Sequence, residues 1–301
     1  MISVPRTRRL VLRSLAVLGA LGARGAARAA VQPVVIRDDR GVQHRFAAPP
    51  QRIVTLLPSL TEVATVLGAS ARLVGVDTYS NWPPEIQRLP HLGGLDDARI
   101  EAIAELKPDV VLASTSSRAL DRLDALGFAV VRLKSDSHAD VRRTLDIVAR
   151  LLGIPDESAR VWGRLERETN GAAARVPRGL RGLRVYFEID GGPYGAGPTS
   201  FIGETLARLG MGNVIPPELG PFPKLNPEYV VRSKPDIIMG ARRQLAGLAE
   251  RPGWRDLRAL RDRRICEFDS LQFDVLVRSG PRMGDAAALL ADCLVRLESA
   301  R

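Results

Sequence analysis

Two stretches lying 127 residues apart share one register: "IEAIAELKPDVVLA" (residues 100–113) and "PEYVVRSKPDIIMG" (residues 227–240). In each, a glutamate near the start (Glu101, Glu228) is followed six positions later by Lys-Pro-Asp and then by an apolar run. Proline disfavours right-handed helical backbone at the residue before it, so each Lys-Pro ends a short helix and turns the chain into a strand. Any helix-to-strand connection can use proline that way. The common spacing of Glu, Lys, Asp and strand asks for more, and it argues for internal duplication, with two similar α/β lobes facing across a cleft.

The rest of the chain fits around these units. A polar hairpin is expected over residues 34–46, with "DDRG" as its turn. The run "RIVTLLPSLTEVATVLG" then reads as a strand, a Pro-Ser break and an amphipathic helix. Ser59 stands as its N-cap, Glu62 three residues on completes a capping box, and Gly68 closes it. Strands at 73–76, "DVVLAS" and "AVVRL" alternate with helices over about 98–106, 117–126 and up to Leu152. Continuous apolar strands alternating with helices predict a parallel sheet covered on both faces. Residues 155–174 are polar and helix-favouring, so they read as one long helix joining two bodies, a stiff boundary that allows only a small hinge motion. The pattern restarts with the strand "RVYFEI", a Gly/Pro loop and the helix "FIGETLARLG". The expected fold class is therefore α/β: two similar lobes with mainly parallel sheets, joined by one long helix. The expected boundaries are an export signal at 1–29, an N-terminal lobe at 30–154, a linking helix at 155–178 and a C-terminal lobe at 179–301.

Charge narrows the function. The net +10 looks like a nucleic-acid binder until its position is counted: residues 1–29 hold six arginines and no acid, leaving 38 basic against 34 acidic residues elsewhere. No basic run with interleaved aromatics follows, so nucleic acid is not an expected partner. The basic head, the segment "LVLRSLAVLGALGA" and "ARA" at Ala27 to Ala29 read as an export signal. "TRRLVLR" also resembles a twin-arginine export motif, so both export routes stay open. A soluble monomer outside the cytoplasm is expected. Export would permit a disulfide between Cys266 and Cys293, but two buried free thiols are equally compatible with the sequence.

Catalytic signals are weak. His44, His91 and His138 fall in separate segments without nucleophile or metal spacing, and each reads as a surface or loop residue. There is no GxSxG, GxxxxGK[ST] or HExxH pattern, so no catalytic or metal-ligating residue is assigned. The connecting loops are more informative. In a chain with only 5% aromatics, "DTYSNWPP", "GGPYGAGPTS" and "GPFPKLNPE" each set a ring beside Pro or Gly. Such loops hold Tyr79, Trp82, Tyr194 and Phe222 with little freedom left to lose on binding. At the ends of open α/β sheets, where ligands bind, they read as walls for a large flat ligand.

The order "RIVTLLPSLTEVATVLG…LVGVDTYSNWPPE…GGL…IEAIAELKPDVVLA", followed by a long helix and a second lobe, resembles the substrate-binding proteins of iron-complex and cobalamin ABC importers. Over about residues 50–298 it is most similar to the cobalamin-binding members. That resemblance implies cobalamin as a non-covalently held, transported ligand and an inner-membrane ABC permease as partner. Haem is the alternative cargo, with Tyr79 or Tyr194 as axial ligand. A ferric siderophore is another, with Arg278 and Arg282 supplying charge. An enzyme or metal-site protein on the same scaffold is the reading from a different class. By the resemblance, Tyr79 meets the corrin, Tyr194 and Phe222 close from the second lobe, and Pro58 and Ser59 floor the cleft. Glu101 and Glu228 match glutamates that dock on permease arginines, although acids in a first helical turn also complement the helix dipole. Leu95 and Phe222 stand where the cobalamin binders carry tryptophan. Cys293 matches half of a family disulfide whose other half falls on Leu209, so that bridge is expected to be absent.

Overall fold

The computed structural model describes residues 33–190 and 194–299; the export signal expected at 1–29 lies outside the described residues. An antiparallel hairpin, β1 (Val34–Arg37) and β2 (Gln43–Phe46), comes first. Four short apolar runs then become parallel strands, β3 (Ile53–Thr55), β4 (Leu73–Val76), β5 (Val110–Ser114) and β6 (Val130–Leu133), in the order β4-β3-β5-β6. Every residue of β3 and β6 is buried, as a sheet packed on both faces requires. The covering helices are α1 (Pro58–Val66), α2 (Ile100–Glu105), α3 (Asp121–Ala125) and α4 (His138–Leu151).

A 20-residue helix, α5 (Asp156–Arg175), follows. Its Val161 and Leu165 pack in the first sheet's core and its Ala172 in the second's, so one helix is built into both. Beyond it come β7 (Arg184–Asp190), β8 (Tyr194–Gly195), α6 (Phe201–Arg208), β9 (Gly212–Asn213), α7 (Pro227–Ser233) and β10 (Ile237–Ala241). The chain continues through α8 (Arg242–Leu245), α9 (Arg258–Arg261), β11 (Ile265–Phe268), α10 (Ser270–Leu276) and α11 (Met283–Ser299). Parallel pairings of β7 with β9 and β10, and of β10 with β11, give the path β9-β7-β10-β11, the order of the first sheet again. The two-residue β8 is the antiparallel addition. Among the described residues, no helix is long and apolar enough to cross a membrane.

The repeated Lys-Pro-Asp has a structural cause beyond its proline. Lys107 (φ 46°) and Lys234 (φ 48°) both take the left-handed conformation, one residue before each proline. Asp109 Oδ2 then accepts hydrogen bonds from the backbone N–H of Gln51 and Arg52 (2.7 and 2.8 Å), and Arg52 Nη2 donates back to Leu106 O at 2.6 Å. In the second lobe Asp236 Oδ2 accepts from Arg184 N at 2.9 Å, and Arg184 Nη2 donates to Lys234 O at 3.1 Å. Each unit clasps the amino end of its own strand to that of its neighbour, satisfying orphan groups at both the helix end and the strand start.

Two expectations are corrected. The N-cap of α1 is Leu57, with no side-chain bond, because Pro58 at the first helical position starts the helix one residue early. Ser59 therefore lies inside the first turn and Glu62 has no cap to return to; the capping boxes form at Ser137/Asp140 and Asp269/Gln272. Gly68, at φ 80°, does follow the helix end. The cysteine question closes on a disulfide between Cys266 in β11 and Cys293 in α11, with Cα atoms 5.9 Å apart. Leu209 is buried in the same core, as an apolar residue at that position should be.

Candidate ligand cleft

The four strands of the first sheet and β7 of the second point their carboxyl ends at one cleft of about 460 Å³. From the first lobe, Leu57 and Pro58 follow β3, Tyr79 follows β4, Ser114 ends β5 and Ser135 follows β6. The opposite wall is made by Ile189 near the end of β7, Phe201 opening α6, Phe222, and Asp274 with Arg278 around the end of α10. Of the residues expected there, Pro58, Ser59, Tyr79, Leu95 and Phe222 line the cleft together.

Tyr79 is 68% exposed, yet its loop is pinned. Its backbone N–H donates to the buried Asp77 carboxylate at 2.7 Å, and Ser80 Oγ donates to the same group. Thr61 Oγ1 lies 2.7 Å from Ser80 Oγ and from Thr55 Oγ1, running the chain back into β3. Burial pushes the Asp77 carboxyl above its ordinary range despite these donors. Gly94 lets the ring lie close: a Cβ there would sit 3.2 Å from Tyr79 Cε2. The loop thus offers one exposed ring on a fixed backbone.

Trp82 and Tyr194 are not among the cleft residues. Trp82 lies under the Arg282 guanidinium, 5.1 Å from its ring centroid, and Tyr194 packs beside Lys224 Nζ at 5.8 Å on the edge strand β8. A ring beside Pro or Gly announces an ordered aromatic but not the side of the loop it takes. Phe201 was missed. It opens a predicted helix and meets Phe222 edge-on at 5.8 Å, and its signal was the position directly after the Gly/Pro loop.

Arg278 and Arg282 are not free charges. Arg278, 8% exposed, donates to Glu62 Oε1 (3.2 Å), Asn81 Oδ1 (2.7 Å), Tyr79 O (3.0 Å) and Asp274 Oδ2 (2.9 Å). It ties the α10–α11 turn to α1 and to the tyrosine loop, so one side chain holds the two lobes together beneath the cleft. Burial still raises the Glu62 carboxyl above its ordinary value, and its Oε2 has no partner. Gly280 presses on Ser59, whose Cβ would be 3.3 Å from a Cβ at that glycine.

A second seam closes the other side. Phe201 N donates to Asp136 O at 2.6 Å, and His138 N to Glu204 Oε2 at 2.6 Å. His138 is therefore no surface residue: its Nε2 lies 2.9 Å from Thr205 Oγ1 and 3.1 Å from Phe201 O. Burial, aided by Arg208, lowers its pKa to about 4, so the ring is neutral at pH 7. His44 is also withdrawn, 3.2 Å from Asp38 Oδ2, whereas His91 bonds only backbone carbonyls.

Glu101 and Glu228 occupy the second positions of α2 and α7. Both helices begin on the cleft side of their sheets, since each follows a strand's carboxyl end and returns to the next strand's start. The Glu101 carboxylate is 72% exposed, with Arg122 at 3.2 Å, and Glu228 is exposed behind the Asn226 cap.

The cleft thus combines apolar faces with hydroxyl and carboxylate edges, and its one lining arginine is committed within the protein. This suits a broad, flat, mainly apolar body with hydrogen-bonding groups at its rim. Residues 53–271 match a family model described as periplasmic binding protein. The uncharacterized ABC transporter substrate-binding lipoprotein YvrC of Bacillus subtilis (strain 168) is 26% identical over 88% of this chain and 86% of its own. The vitamin B12-binding protein of Pectobacterium atrosepticum is 26% identical over 84% and 91%. Among solved structures, the periplasmic heme-binding protein RhuT from Roseiflexus sp. RS-1 is similar with a TM-score of 0.70 and 28% identity, covering 82% of this chain and 98% of that one. With a shared strand order in two lobes, a cleft at their carboxyl ends and a family match over most of its length, the chain belongs to the periplasmic binding protein family.

Proposed function

We propose that the protein is the extracytoplasmic binding component of an ABC importer, holding one corrinoid non-covalently in the cleft and delivering it to a membrane permease. The observation that carries the cargo is the lining: rings and aliphatic side chains for a flat macrocycle, with Ser59, Ser114, Ser135 and Asp136 as acceptors. A corrin rim carries amide groups, whose N–H donors such acceptors satisfy. The vitamin B12-binding relative supports this choice. Glu101 and Glu228 are the docking residues for the permease in this reading, one from each lobe. Recognition by stereochemical fit is supported by the committed state of Arg278, which disfavours a siderophore chosen by charge.

Haem is the second reading, favoured by one feature: the Tyr79 side chain is 68% exposed over the cleft, where its phenol oxygen can reach a ferric ion. The similarity to RhuT supports the same class of flat macrocycle. Calorimetric titration of the exported form with cyanocobalamin, hemin and a ferric siderophore tests these readings. Saturable one-to-one binding of cyanocobalamin supports the first. A Soret band with hemin that is lost in Tyr79→Ala supports the second. Silence from all three ligands refutes both.

A further inference from the structure

A second cavity of about 410 Å³ adjoins the cleft, and Asp274 lines both. It opens at the carboxyl ends of the adjacent parallel strands β10 and β11, where Ala241 and Phe268 end their strands. Phe268 and Phe273 form its apolar back, Ser270 offers a hydroxyl, and Arg242 and Arg243 stand at its side. Both arginines are exposed, and among the described residues neither guanidinium has a carboxylate within ion-pair distance. The acids are already used: Asp269 caps Gln272 N at 2.9 Å and Asp274 is paired with Arg278. Of the charged groups lining the cavity, the two guanidinium groups are thus the ones open to a ligand, whereas the cleft beside it has its one arginine engaged and presents mainly hydroxyls and apolar faces.

From this contrast we propose that the cavity is a subsite for an anionic arm of the cargo, held by Arg242 and Arg243 while the macrocycle lies in the cleft. The proposal rests on the flat-macrocycle reading above. The shared chemistry is an oxyanion on a tether: a phosphodiester if the cargo is a corrinoid with a nucleotide loop, or a carboxylate if it is a haem. Guanidinium groups suit either, since both anions accept paired, charge-assisted hydrogen bonds.

The test compares ligands with and without the anion on the full exported chain. Cyanocobalamin is titrated beside cobinamide, which lacks the phosphodiester, and hemin beside its dimethyl ester. The wild type should prefer the anionic member of one pair, and raised salt should shrink that preference. Arg242→Ala with Arg243→Ala should cut the preference about tenfold, from the loss of charge-assisted bonds, and the double lysine variant should restore part of it. A preference that survives the double alanine variant, or an equal fall for both members of the pair, overturns the subsite while leaving the macrocycle reading intact. Failure of the wild type to bind either pair overturns both.

Discussion

Arg278 Nη1 lies 3.2 Å from Glu62 Oε1, joining the α10–α11 turn to the first helix of the other lobe across 216 residues of sequence. Removing one member of a buried pair strands the other, which costs far more than the net value of the pair. Arg278→Ala should lower unfolding free energy by about 3–5 kcal/mol, read from denaturant midpoints. Glu62→Gln added to it should recover part of that loss. Equal losses in the single and double variants would show that the pair is not what couples the lobes. With this bond, the second seam at His138 and α5 all spanning the lobes, the radius of gyration from solution scattering should stay nearly constant when ligand binds.

His138 gives the stability a pH dependence with a definite sign. Its folded pKa of about 4 lies below the ordinary histidine value of 6.5, so the unfolded chain takes up the proton first as pH falls. The contribution is complete above pH 6.5 and is lost on descent towards pH 4, by roughly 2–3 kcal/mol after allowance for partial solvent access. His138→Gln should flatten the wild-type slope in that window, measured by chemical denaturation at a series of pH values. An unchanged slope would place the titration elsewhere.

Much of this architecture was legible in the sequence, and the reason is local. Strand identity came from unbroken apolar runs, and the duplication from Glu-to-Lys spacing. The strand order shared by the two sheets follows from that repeat. What escaped was direction. Nothing in "PSLTE" says that Glu62 faces a guanidinium 216 residues away instead of its own N-cap. Likewise, nothing in "YSNWPP" says that Trp82 turns to Arg282 while Tyr79 turns to the cleft. Those choices belong to long-range packing, which single-sequence periodicity does not encode.

That difference in direction predicts a difference in binding. Tyr79→Ala should weaken the cargo about tenfold, the value of an aromatic face lost from a ligand wall. Tyr194→Ala, outside the cleft lining and packed by Lys224, should change affinity far less in the same titration. The reverse order would place the macrocycle over β8 and not over the tyrosine loop.

The Cys266–Cys293 bridge closes a loop with a sequence separation of 27 between β11 and α11. Chain-entropy arguments give such a closure about 3–4 kcal/mol. Reduction, or Cys266→Ala with Cys293→Ala, should lower the melting temperature by several degrees while preserving ligand affinity, because neither cysteine lines the cleft. Melting curves that coincide in the presence and absence of reductant would contradict this.

If the importer reading holds, permease docking is separable from capture. Glu101→Ala with Glu228→Ala should leave cargo affinity as it is and impair uptake in cells that depend on this importer, since both carboxylates are exposed and outside the cleft lining. Undiminished transport would leave these acids only their complement to the helix dipoles.

The Lys-Pro-Asp clasps sit at the amino ends of the strands, and the cleft sits at the carboxyl ends. Mutational tolerance should therefore be polarised along the strand axis. Substitutions at Asp109 or Asp236 should act on folding, while exchanges of the exposed Tyr79 ring or of Phe222 should act on ligand affinity with the pinned loop backbone kept. Side chains at one rim of the molecule can then change the ligand preference of the cleft without altering how the chain reaches its native state.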